Sequence, residues 1–216
     1  MQSYIMPDIY NHESGFITPP DKGIITDAGM TDIEVLSASR INLMAKGRRY
    51  GRLWLLKGLI PDLRDSPSAR RQLQKEFEIH SRLLHPGIAR AVGFENIEGV
   101  GLCIVEEWIE GKTLAQMLHE GKISKQERRR IMADIIRAVG FMHGKGVIHR
   151  DLKPANVMVR KEGGEIVLID FGLADTDDYA ELKQGAGSPG YVSPEQRRDE
   201  GASITDDIYS LGKIRR

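Results

Sequence analysis

The stretch that most constrains this chain runs from residue 149 to residue 172. The octet His149-Arg150-Asp151-Leu152-Lys153-Pro154-Ala155-Asn156 gathers two cations, a carboxylate and an amide. Two short apolar runs follow, Asn156–Arg160 and Ile166–Ile169, which read as strands either side of a Gly163-Gly164 turn. The second run leads into Asp170-Phe171-Gly172, so a carboxylate stands at the end of an apolar strand, a good position for a magnesium ligand.

These parts suit one chemistry. Phosphoryl transfer from a nucleotide needs metal ions on the phosphates, a positioned hydroxyl and cations near the transferring group, with little covalent help. Asp151 is the candidate base that accepts and orients the hydroxyl proton. Lys153 can approach the transferring phosphate, Asn156 can hold a metal through its amide oxygen, and Asp170 is the carboxylate ligand.

The flanking sequence predicts a β-rich lobe and a helical lobe. Strands are expected near Ile33–Leu36, Asn42–Lys46 and Arg52–Leu59, with a turn over Lys46–Gly51. A helix capped by Ser66 or Ser68, with Pro67 in its first turn, carries Leu73, Phe77, Ile79, His80, Leu83 and Leu84 and ends at His85-Pro86-Gly87. Strands follow at Ala89–Glu95 and Gly101–Glu107, and Gly111 marks a break. Leu114–His119 is a short helix. Ser124 caps a longer one, in which Ile131, Ile135, Ala138 and Met142 form a stripe that Ile136 and Val139 widen, predicting burial around much of its circumference. A Gly-rich loop runs to about Pro194, and a last helix starts near Thr205. Residues 1–30 carry turn formers without period and read as a poorly ordered extension.

The octet resembles the catalytic loop of eukaryotic-type serine/threonine protein kinases, and Asp170-Phe171-Gly172 resembles their metal-binding motif. Gly187-Ser188-Pro189-Gly190-Tyr191-Val192-Ser193-Pro194-Glu195 is similar to their peptide-docking stretch, in a form seen in bacterial members, and favours a protein substrate. The resemblance covers roughly residues 33–216. It implies an α+β, two-lobe fold over residues 31–216, with an N-lobe to about 108 and an incomplete helical C-lobe from about 109. It also implies ATP and Mg²⁺ as cofactors, with Asn156 and Asp170 as metal ligands. Lys57 corresponds to the lysine that grips the nucleotide phosphates. Its ion-pair partner is Glu76 by spacing from Pro86, with Glu78 the competitor. Glu107-Trp108-Ile109 corresponds to the adenine-binding hinge, making Glu107 and Ile109 cofactor-binding residues. Asp207 matches a buried helix aspartate that holds the catalytic-loop backbone, and Ser188 the hydroxyl that contacts Asp151 and Lys153. Arg150 before the catalytic aspartate often accompanies phosphorylation of the following segment, for which Thr176, Tyr179 and Ser188 are candidates.

Three departures from the pattern stand out. The phosphate-covering loop, Leu36-Ser37-Ala38-Ser39-Arg40-Ile41-Asn42-Leu43, has none of the family's three glycines, so nucleotide is expected to bind more weakly. Glu106 falls just before the hinge, where a buried carboxylate is costly or neutralised. The sequence stops at Arg216, short of the family's remaining helices and of the usual arginine partner of Glu195, which suggests a truncated product or a partner covering the C-lobe.

Lys plus Arg and Asp plus Glu both number 31, so no polyanion partner, nucleic acid or acidic membrane is favoured. Basic clusters at Arg48-Arg49, Arg70-Arg71 and Arg128-Arg129-Arg130 read as solvated surface. The single cysteine, Cys103, lies in an apolar run and reads as a buried, inert thiol. With no secretory signal and no membrane-spanning stretch, a cytoplasmic location is expected. The sequence therefore predicts a protein serine/threonine kinase. The alternatives are a nucleotide-binding pseudokinase or regulatory module, an inactive truncated kinase fragment, and a small-molecule phosphotransferase.

Overall fold

The computed structural model describes residues 29–121, 123–176, 187–198 and 200–215. Most of the expected N-terminal extension, and Tyr179, lie outside them.

Five antiparallel strands build the first lobe: β1 (Thr31–Ala38), β2 (Asn42–Arg49), β3 (Arg52–Leu59), β4 (Ala91–Ile97) and β5 (Gly101–Glu107), in the order β1-β2-β3-β5-β4. The turn between β2 and β3 is tighter than predicted. Tyr50 and Gly51 have φ of 51° and 73°, the pair of positive values that a two-residue hairpin turn needs, so Gly47, Arg48 and Arg49 stay in the ladder. Arg49 also departs from the solvated reading, because its guanidinium grips both Glu95 oxygens at 3.0 and 2.7 Å. One cluster of this lobe holds Leu43, Ala45, Leu56, Ile97, Val100, Cys103 and Val105; burial pushes the Cys103 thiol up to about 12, which suppresses the reactive thiolate.

Helix α1 (Pro67–His80) joins the sheet through a second cluster, in which its Leu73 packs with Leu59 and Ile104. Ser66, not Ser68, is its cap, accepting from the Ala69 amide at 3.4 Å. The helix ends at His80, before the predicted His85. Leu83 is nevertheless buried, while Leu84 is 68% exposed.

The second lobe comprises β6 (Gly111–Thr113), α2 (Leu114–His119), α3 (Lys125–His143), β7 (Val157–Arg160), β8 (Ile166–Leu168), α4 (Pro194–Arg197) and α5 (Ile204–Ile214). Gly111 is not a break but the start of β6. A Cβ there would lie 2.1 Å from the Val159 carbonyl oxygen, so only glycine lets β6 pair with β7. On α3, Ile131, Ile135, Ala138, Val139 and Met142 are buried. Ile136 is 54% exposed and corrects the prediction of wide burial: one residue is a turn of about 100°, enough to carry it off the core stripe. These α3 residues, with Leu152, Val157, Ile166, Leu168 and Phe171, form the main core of the molecule. The octet and the residues after Leu168 thus emerge from a packed base. No helix among the described residues is long and apolar enough to cross a membrane.

Candidate active site

Lys57 sits on β3 with its side chain 4% exposed, facing α1. Its ammonium donates to Glu76 Oε1 at 2.6 Å and to Asp170 Oδ1 at 2.7 Å. Glu78, the competing partner, accepts from Gln74 on the helix surface. Burial alone would lower the Lys57 pKa, but the Glu76 and Asp170 carboxylates outweigh it and hold the amine firmly protonated. Burial would likewise raise Asp170, and the Lys57 charge and hydrogen bond hold it below the carboxylate range instead. Asp170 adopts φ 63°, a left-handed conformation that is costly for a side-chain-bearing residue. Gly172 completes the turn: a Cβ there would come within 3.1 Å of Asp170 Oδ1 and 3.3 Å of Lys57 Nζ.

Across the cleft, Lys153 Nζ donates to Asp151 Oδ2 at 2.7 Å and to the Ser188 hydroxyl at 2.6 Å, while the Ser188 amide donates to Asp151 Oδ1 at 3.1 Å. Asn156 donates through its amide nitrogen to the Asp151 carbonyl (2.9 Å) and Oδ2 (3.1 Å). The loop is held from below by Asp207, fully buried on α5, whose two oxygens accept from the His149 and Arg150 amides, each at 2.9 Å. His143 Nε2 lies 2.8 Å from the same carboxylate. Arg150 needs this support, because its φ is 64°.

Both groups meet at a cavity of about 290 Å³ bounded by Ser39, Met44, Leu55 and Lys57 above and by Asn156, Ile169 and Asp170 below. Magnesium fits the residues present. Lys57 takes Asp170 Oδ1, leaving Oδ2, and Asn156 spends its nitrogen on Asp151, leaving its oxygen. Two oxygens completed by nucleotide phosphates and water match the habit of this ion.

The glycine-free loop is a closed turn. The Ser39 hydroxyl accepts from the Asn42 amide at 2.9 Å and from the Ile41 amide at 3.2 Å, and the Ser39 amide donates to the Asn42 carbonyl at 2.8 Å. Three N–H groups of the loop are thereby occupied within the protein. Glu106 is 3% exposed, pairs with Leu55 across the strands and lines the cavity. Burial pushes its carboxyl up to about 8, so it is largely neutral at pH 7.

At the hinge, the Glu107 amide donates to Arg90 and its carboxylate pairs with Arg160 at 2.6 Å, so its side chain is engaged away from the cavity. Ile109 is 8% exposed and packs with Ala89 and Val167. Glu195 meets Arg198 at 3.7 Å in an exposed pair. A larger groove of about 990 Å³ lies behind the hinge, where Arg137 pairs with Asp134 and Arg160 with Glu107.

Sequence reading placed His80 only on the apolar face of α1. Its ring stacks on Phe171 with centroids 4.2 Å apart, and the His149 ring is tilted against Phe171 with centroids 5.1 Å apart. The available signal was spacing: His80 follows Glu76 by four residues, on the same helix face.

The family described as the protein kinase domain matches residues 43–215. The chain is 35% identical over 177 residues to the probable serine/threonine-protein kinase SCO3848 of Streptomyces coelicolor, covering 78% of this chain and 26% of that protein. It is 35% identical over 180 residues to the serine/threonine-protein kinase PknB of Mycolicibacterium smegmatis, covering 79% and 29% respectively. Similarity extends to the calcium/calmodulin-dependent protein kinase type 1 of Caenorhabditis elegans, at 28% identity over 82% of this chain and 51% of that one. The chain spans under a third of the length of the first two relatives. With the two-lobe fold and the motifs of residues 149–172, these matches establish that the chain belongs to the protein kinase family.

Proposed function

We propose that this chain is the catalytic part of a protein serine/threonine kinase that transfers the γ-phosphate of ATP to a protein hydroxyl. The observation that carries the reading is the role of Asn156: it lines the cavity shared with Lys57 and Asp170, and it also bonds Asp151. The phosphate-gripping cation and the hydroxyl-orienting carboxylate are therefore parts of one site.

In this reading Lys57, held by Glu76, pairs with the nucleotide phosphates, and Asn156 and Asp170 hold magnesium. Bound there, the metal would neutralise charge on the phosphates. The backbone of Glu107 and Ile109 borders the base. Asp151 accepts the proton of the attacking hydroxyl and orients it, and Lys153 supplies a positive charge beside the group in transfer. The position of Ser188 supports this, since its hydroxyl accepts from Lys153 while its backbone amide donates to Asp151. Lys153 within the octet resembles the serine/threonine rather than the tyrosine branch, and the docking stretch favours a protein substrate over a small molecule.

A second reading, a nucleotide-binding regulatory module, is favoured by the occupied amides around Ser39. Radiolabelled phosphate transfer to a generic protein substrate, comparing the native chain with Asp151→Asn, separates the two. Loss of labelling in the variant supports the kinase; equal labelling by both chains defeats the catalytic assignment. Thermal stabilisation by Mg-ATP without transfer identifies the regulatory module.

A further inference from the structure

Asp175, five residues beyond Asp170, is 1% exposed and is shared by two buried cations. Its Oδ1 accepts from Lys75 Nζ at 2.9 Å and from the Thr176 amide at 3.0 Å, and its Oδ2 accepts from Arg150 Nη1 at 3.1 Å. Its backbone makes both bonds of an antiparallel bridge with Ile148, at 3.0 and 2.9 Å. Gln196 adds a bond from its side-chain nitrogen to the Arg150 carbonyl at 2.8 Å.

The two cations are neighbours of the site. Lys75 precedes Glu76 on α1, and Arg150 precedes Asp151 in the catalytic loop. Lys75 and Arg150 side chains are 2% and 4% exposed, so neither charge is tolerable without a carboxylate close by. One anion thus ties the helix that orients Lys57 to the loop that carries the candidate base.

We propose that Asp175 is a positioning residue whose built-in carboxylate aligns α1 with the catalytic loop, so that this alignment needs no phosphate on the segment after Asp170. Arg150, the cation that such a phosphate would recruit, is already engaged. Thr176, one of the candidate phosphosites, has its hydroxyl buried, and the hydroxyl of Ser188, another, is bonded to Lys153.

The inference rests on the kinase reading, and the test keeps the two apart. The native chain, phosphatase-treated and verified phosphate-free by intact mass, is compared with Asp175→Asn, Asp175→Glu and Lys75→Met. The last retains the neutral Arg150–Asp175 pair and so is expected to fold even if Asp175→Asn does not. The phosphate-free chain should keep its kcat within about twofold, while folded Asp175→Asn and Lys75→Met lose roughly tenfold or more in kcat with the Mg-ATP KM changed less than about threefold. Asp175→Glu should recover most of the Asp175→Asn loss. Native-like kcat in a folded Asp175→Asn or Lys75→Met chain, or loss of turnover on phosphatase treatment, overturns the inference. If the native chain transfers no phosphate even before treatment, the kinase reading fails, and amide exchange decides this one. Slow exchange at Ile148 and Asp175 in the phosphate-free chain, faster by roughly tenfold in Lys75→Met, supports the clamp, and equal exchange refutes it.

Discussion

The Glu106 carboxylate lies 3.7 Å from Nδ1 of His80, with both side chains buried and no hydrogen bond to either atom among the described residues. His80 Nε2 is 2.6 Å from the Ala89 carbonyl oxygen, so that nitrogen carries the proton and Nδ1 is the bare one. Burial lowers His80 to about 4 and raises Glu106 to about 8, and the pair faces each other uncharged.

This pair predicts a pH dependence of stability. An unfolded glutamate titrates near 4.5, so between there and about 8 the folded chain holds a proton that the unfolded chain has released. Glu106 therefore costs stability increasingly as pH rises through that window, about 1.4 kcal/mol per pH unit at most. His80, with its lowered pKa, acts in the opposite sense at acidic pH, but it is common to both chains in the comparison. Glu106→Gln should gain in melting temperature over the native chain, and the gain should be larger at pH 8.5 than at pH 5.5. A difference that does not change with pH refutes it.

Ser39 predicts a gain of binding. Replacing it with glycine removes the acceptor that occupies the Ile41 and Asn42 amides and leaves them available to phosphate. Ser39→Gly should lower the Mg-ATP Kd by roughly threefold to tenfold. Calorimetric titration of the two chains checks this, and equal or weaker binding by the variant counts against it.

The two glutamates of α1 should behave differently. Lys57→Met should abolish the thermal stabilisation by Mg-ATP. Glu76→Gln should reduce turnover by roughly tenfold to a hundredfold, because the lysine loses its charged partner. Glu78→Gln, whose carboxylate accepts from Gln74 on the helix surface while Lys57 donates to Glu76 and Asp170, should leave both within about twofold. A turnover defect in Glu78→Gln as large as that of Glu76→Gln would contradict the assignment.

Asp207→Asn tests the floor of the catalytic loop. An amide has one oxygen where the carboxylate offers two, so one of the His149 and Arg150 amides loses its acceptor in a buried place. Stability should fall by about 1–3 kcal/mol, and phosphate transfer should fall with it, since Arg150 is held in a strained conformation. Urea denaturation gives the first quantity; a midpoint unchanged from the native chain would show that the bonds are dispensable.

The short-range features were legible because their causes are local. Strands β3, β5, β7 and β8 lie where apolar residues and turn formers placed them, and the caps Ser66 and Ser124 act through residues three positions away. Boundaries that depended on distant atoms were misjudged. Gly111 read as a break because the Val159 carbonyl that demands a glycine is 48 residues further along. Ile136 read as core because nothing local says where a neighbouring element stops.

By itself, the sequence determined which groups the candidate site offers: Asp151, Lys153, Asn156 and Asp170 follow one another at spacings that the octet and the short strands enforce. Tertiary structure decided how those groups are charged and held. Whether Lys57 meets Glu76 or Glu78, whether Glu106 keeps its proton, and that Asp175 gathers Lys75 and Arg150 all depend on burial and on contacts between residues as many as 100 positions apart. A sequence lists such residues without their distances, and electrostatic energy depends on distance and on exclusion of water.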